Sequence, residues 1–158
     1  MRYSGNKGFS LTELLVVLGL LGVLGAMTAL SISSLSGSLK FKNVAWGISA
    51  QLRLAKQSAS TNNLEHRVEL GIGAGRYRLT QGNLPAGSTV WTDVKPWVAL
   101  DSDVAWVTGA ACDGNADLNI KFNPNGTADA GTICIMDTGG AVRYRIEVSA
   151  TSGRVTIN

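Results

Sequence analysis

An α+β fold with one long N-terminal helix packed on antiparallel β-sheet is predicted by three observations. The first 39 residues carry only three charges, Arg2, Lys7 and Glu13, of the 14 Lys+Arg and 11 Asp+Glu in the 158-residue chain. An amphipathic stretch with helical spacing follows directly. From residue 66 onward the pattern changes to short alternating runs broken by Gly, Asn and Pro, which is the signature of strands and turns.

Composition excludes several classes. Hydrophobic residues make up 45% and charged residues 16%, so disorder and collagen-like repeats are excluded. One histidine, His66, and two cysteines are too few for an ordinary zinc site. A His-based triad could use only His66, which has no nucleophile motif near it. No cofactor is expected and no residue set supports catalysis, so the chain reads as a non-enzyme. The net charge of +3 is mild for a nucleic-acid binder.

The first element is apolar. Residues 14–32 contain no charge, and nineteen helical residues span about 28 Å, close to the thickness of a bilayer core. A buried core helix and a cleaved signal peptide are the plain alternatives. Gly19, Gly22 and Gly25 recur every third position, which allows close helix approach and also lowers helix stiffness.

The segment before this run reads Gly8-Phe9-Ser10-Leu11-Thr12-Glu13-Leu14-Leu15, after a short leader with Arg2 and Lys7. It closely resembles the prepilin cleavage and methylation motif of type IV pilins and pseudopilins. That resemblance implies cleavage between Gly8 and Phe9 by a prepilin peptidase and methylation of the new Phe9 amine. It implies that Glu13 compensates the N-terminal amine of a neighbouring subunit during filament assembly. The bland alternative for Glu13 is a carboxylate resting at the headgroup level. The type IV pilin fold follows as the expected architecture. Many major pilins carry a proline well along this helix, where this chain has Leu30.

Charge agrees with the processing. Positive residues in the leader favour a cytoplasmic N-terminus and a periplasmic body, in a single-pass inner-membrane protein. Loss of Arg2 and Lys7 takes the side-chain charge from +3 to +1. The expected division is a leader at 1–8, a transmembrane and filament-core helix at 9–33, its amphipathic continuation at 34–63, and a β-rich periplasmic domain at 64–158.

The continuation is set by Phe41, Val44, Ile48, Leu52, Ala55 and Ala59, spaced as one helical face. Thr61-Asn62-Asn63 marks its end. Residues 66–70 and 76–79 then form a hairpin around Gly73-Ala74-Gly75. Short strands are expected at 90–91, 97–100 and 104–107. A strand at 118–122 is expected to pair with 132–136 across the Asn123-Pro124-Asn125-Gly126 turn. Residues 142–148 and 154–157 form a last hairpin around Thr151-Ser152-Gly153.

A second resemblance lies in this half. Ile120-Lys121-Phe122-Asn123-Pro124-Asn125-Gly126, Gly131-Thr132-Ile133-Cys134-Ile135, Tyr144-Arg145-Ile146-Glu147-Val148 and Gly153-Arg154-Val155 are similar to the FimT/GspH family. Its members are minor pilins of type IV pili and H pseudopilins of type II secretion. The implied function is a structural subunit in the tip or initiation complex of a pilus or pseudopilus. The implied partners are other pilins or pseudopilins, the prepilin peptidase, the inner-membrane assembly platform and the lipid bilayer. Residues 80–110 are largely unmatched.

In an oxidising compartment Cys112 and Cys134 most simply form one disulfide, the alternative being two buried thiols. Asp113, Asn115 and Asp117 alternate in an acidic region and are a weak calcium candidate, but Leu118 stands where an EF-hand needs Gly; a solvated loop is the plain reading. Arg76 and Arg78 flank Tyr77, and Arg143 and Arg145 flank Tyr144. Two strands with solvated arginines and buried tyrosines are the plain reading. The rival reading is DNA contact through Arg143, Arg145 and Arg154, as in DNA-binding FimT proteins. Those use a Gly-Arg-X-Arg motif, and here Gly153-Arg154-Val155-Thr156 lacks the second Arg.

Overall fold

The computed structural model describes residues 10–158, and residues 25–38 by backbone alone. Helix α1 spans Leu11–Asn62. Its expected boundaries, near Ser10 and Asn62, are matched to within one residue. It ends where Asn63 takes a left-handed conformation (φ 52°), which Asn tolerates better than most residues. The chain divides into two compact units, residues 1–38 and 39–158.

In the first unit the described side chains are all exposed, from Leu11 at 78% to Leu24 at 61%. Among the described residues no helix is long and apolar enough to cross a membrane. The expected span, 9–33, runs into residues outside that description.

The second unit holds the core. Ala45, Ile48, Leu52, Ala55 and Ala59 of α1 are fully buried, with Phe41 and Val44 packed at the margin. That is the face the spacing predicts, widened by Ala45 and Ser49.

Among the described residues nine strands follow, in two antiparallel sheets. The first contains β1 (His66–Gly71), β2 (Arg76–Gly82), β3 (Trp91–Asp93), β4 (Val98–Ala99) and β6 (Leu118–Phe122). Its order is β3-β2-β1-β6, with β4 also on β2. The second runs β5-β7-β8-β9, from β5 (Ala105–Thr108), β7 (Gly131–Met136), β8 (Val142–Val148) and β9 (Val155–Ile157).

Strand alternation sorts the faces. In the first sheet Val68 lies opposite Leu79 and Ile120, and Leu70 opposite Tyr77 and Leu118. These join Phe122 in the core, with His66 beside them. Ile133, Ile135, Ile146 and Val148 line the inner face of the second sheet. Trp106 ties the sheets together. Its indole N–H donates to the Ile72 carbonyl at 3.2 Å, and its ring meets Tyr77 edge-on at 6.2 Å.

One expected pairing is wrong. Residues 118–122 do not pair with 132–136: β6 pairs with β1, and β7 with β5 and β8. The turn begins as foreseen, with Gly126 N–H bonded to the Asn123 carbonyl and a bridge between Phe122 and Ala128. The chain then leaves for the other sheet. Ile133, Cys134 and Ile135 are buried in succession, so β7 is covered on both faces and belongs inside a sheet rather than at an edge. Gly131 makes the departure fit, because a Cβ there would meet Ile120 Cδ1 at 2.7 Å.

The two expected hairpins, β1–β2 and β8–β9, form as read. The short strands at 90–91, 97–100 and 104–107 exist with shifted bounds, as β3, β4 and β5.

Candidate functional site

Gly8 and Phe9, the expected processing pair, lie outside the described residues. Immediately after them Ser10 starts the helix. Its carbonyl accepts the amides of Glu13 (3.0 Å) and Leu14 (3.2 Å). Glu13 thereby sits in the first turn, where the helix dipole favours a carboxylate. Its side chain is exposed, beside an apolar surface that covers every described position to Leu24. A Cβ at Gly19 or Gly22 would meet nothing within 4 Å. Among the described residues these glycines therefore accommodate no neighbour.

In the body, Cys112 and Cys134 are disulfide-bonded, with Cα atoms 5.7 Å apart. The bond pins the segment after β5 over the outer face of β7. Gly109 N–H donates to the Thr132 carbonyl at 3.1 Å, and Thr108 bridges Gly114. Cys134 is wholly buried as a result.

The arginines do not form one basic stripe. Arg143 is paired with Asp137 at 2.7 Å, across the β7–β8 turn. Arg145 Nη2 lies 3.3 Å from Cys112 Sγ. Arg154 sits in a groove beside Arg53 and Lys56. Arg76 and Arg78 belong to the other sheet. Tyr77 is buried, as the plain reading holds, and Tyr144 is half-buried.

A network missed by sequence reasoning covers the outer face of the first sheet. Glu69 accepts from Arg67 Nε at 2.8 Å and from Arg78 Nε at 2.7 Å, and Arg78 reaches Asp93. Burial pushes the Glu69 carboxyl up, and the two guanidinium groups more than reverse this and hold it low. Arg67 stacks on Trp91 at 4.0 Å, while Arg76 and Arg78 both lie over Trp97 at 4.5 Å. This explains much of residues 80–110: β3 and β4 deliver tryptophans onto arginines of β1 and β2. The available signal was the pairing of Arg67, Arg76 and Arg78 with a Trp-rich acidic loop.

Of the weak calcium candidate, one residue has a partner within the chain. Asp117 Oδ1 accepts the Ile72 amide at 2.8 Å. Among the described residues no group of three or more His, Cys, Asp or Glu side chains is placed to hold a metal. His66 is fully buried, with Nδ1 3.1 Å from the Leu64 carbonyl oxygen.

Two family models match the chain. The prokaryotic N-terminal methylation motif matches residues 3–35. The type II transport protein GspH matches residues 45–152, most of the body. The chain belongs to the GspH family.

Solved structures agree in fold. The minor pseudopilin EpsH from the type II secretion system of Vibrio cholerae is 14% identical, with a TM-score of 0.59 over 75% of this chain and 96% of that one. The solution structure of Escherichia coli GspH gives 12% identity and a TM-score of 0.57 over 77% and 89%. The type IV minor pilin FimU of Pseudomonas aeruginosa gives 15% and 0.54 over 74% and 91%. Among curated proteins none matches the chain significantly. This GspH-family chain thus has the fold of those minor pseudopilins and of that type IV minor pilin. The matches give no support to the DNA-binding alternative.

Proposed function

We propose that this chain is a non-enzymatic minor subunit of a type II secretion pseudopilus, placed in the tip or initiation complex. The observation that carries this reading is the GspH match across residues 45–152. The likeness to FimU keeps a type IV pilus as the second reading.

The role rests on both ends of α1. The leader is removed between Gly8 and Phe9 by a prepilin peptidase, and Phe9 is methylated. The N-terminus enters from the cytoplasmic side, the apolar helix holds the subunit in the inner membrane, and the body lies in the periplasm. The assembly platform then moves the helix from lipid into the filament. There the exposed surface from Leu11 to Leu24 packs on other subunits, and Glu13 neutralises a neighbouring amine. An unpaired carboxylate in an apolar filament core is costly, so the pair also sets register.

Isolation of the tagged chain from inner-membrane extracts tests the assignment. The expected result is recovery of other pseudopilins and secretion components. Recovery of twitching-pilus subunits alone favours the second reading, and recovery of neither set overturns both.

A further inference from the structure

Strand β9 ends the second sheet and, among the described residues, has β8 as its one strand neighbour. Arg145 and Asn158 exchange both backbone bonds, at 2.9 and 2.8 Å, and Ser149 N–H donates to the Arg154 carbonyl at 3.0 Å. In an antiparallel ladder the alternate residues then point the other way. The N–H and C=O groups of Val155 and Ile157 therefore face outward, along a free edge.

That edge borders an open groove of about 610 Å³ between β9 and α1. Arg53, Lys56 and Arg154 line it, and no acidic residue does. Among the described residues no carboxylate pairs with any of the three, although Lys56 Nζ donates to the Ser152 carbonyl at 2.7 Å. Most other basic groups of the body that lie near an acid are committed to it: Lys40 to Asp103, Arg78 to Glu69 and Asp93, Arg143 to Asp137.

An exposed edge is a template for another strand, and soluble proteins usually protect it. Here the guard is positive charge alone. A strand bearing carboxylates would gain ladder bonds from Val155 and Ile157 and ion pairs from the groove, whereas a basic or neutral strand would be repelled or left unpaired. We propose that the β9 edge and its Arg53–Lys56–Arg154 groove receive an extended acidic segment of a neighbouring subunit by β-augmentation. This deepens the subunit role proposed above and rests on it.

The test uses the full chain in detergent micelles and an octapeptide of alternating Glu and Val with blocked ends. The peptide should slow exchange of the Val155 and Ile157 amides about tenfold or more. Its affinity should fall about tenfold in the Arg53→Glu, Arg154→Glu double variant, since both side chains are exposed. Its Lys/Val counterpart, and a version N-methylated at alternate amides, should bind far more weakly.

Equal binding of either control overturns the proposal. So does the absence of amide protection at millimolar peptide, protection of these amides by self-association without peptide, or tighter binding of a short DNA duplex. Recovery of the chain with filament subunits is read separately. Peptide failure with normal recovery removes the groove and keeps the subunit role. Peptide binding without recovery removes the role itself.

Discussion

The Glu65 carboxylate accepts the Ser88 amide at 2.7 Å, joining two residues 23 positions apart. It also accepts the Gly87 amide at 3.0 Å and pairs with Lys121 at 3.1 Å, while remaining 1% exposed. A loop from the middle of the chain is thereby stapled to the start of β1. Gly82 permits the approach, because a Cβ there would collide with the Ser88 hydroxyl.

This staple predicts a pH dependence. Burial pushes the Glu65 carboxyl up, but the Ser88, Lys121 and Gly87 bonds outweigh it and set the pKa at about 2, below the ordinary 4.5. A depressed pKa contributes stability that is full above pH 4.5 and lost as pH falls toward 2. The shift corresponds to about 3 kcal/mol. The melting temperature of wild type should exceed that of Glu65→Gln near neutrality, and the gap should close across this window. A gap independent of pH would contradict the account.

The disulfide predicts a redox dependence of stability. Its 22-residue separation gives about 3 kcal/mol in the chain-entropy picture. Urea unfolding with and without reductant should show a lower midpoint on reduction. Coincident curves would mean that the bridge does not constrain the body.

The tryptophan face predicts a local loss. Trp97→Ala frees both Arg76 and Arg78 from their ring contacts, at a cost of about 1–2 kcal/mol. Glu69→Ala should cost more, about 3 kcal/mol, because it takes the carboxylate from Arg67 and leaves Arg78 with Asp93 alone. Paired denaturation curves check the order; a reversed ranking would place the stabilisation on the rings.

The core makes a plainer prediction. Leu52 is fully buried on α1, and Leu52→Ala should destabilise the body by about 2–5 kcal/mol. Exposed Leu39→Ala should change it little. Thermal unfolding of the two variants separates them.

Periodicity showed where α1 would bury its face, because Ile48, Leu52, Ala55 and Ala59 repeat at helical spacing whatever they pack on. The two hairpins were equally legible, since local turns fix their register. What sequence hid was non-local. The partner of β7 depends on burial of both its faces, Cys134 on one and Ile133 and Ile135 on the other, which no local pattern records. Glu65 gave no local signal, because its partners Gly87, Ser88 and Lys121 lie more than twenty residues away. Arg76 and Arg78 read as solvated side chains, yet Trp97 lies against both and Glu69 and Asp93 pair with Arg78. The prepilin motif was the clearest signal, and it rests on chemical processing rather than on folding.

Glu13 carries the central claim into an experiment. The measurement is the fraction of chain recovered in sheared filaments relative to membranes, for wild type and Glu13→Ala. The account predicts equal membrane insertion and a filament fraction reduced about tenfold or more by the loss of a charge pair. Equal incorporation of the two proteins would contradict it.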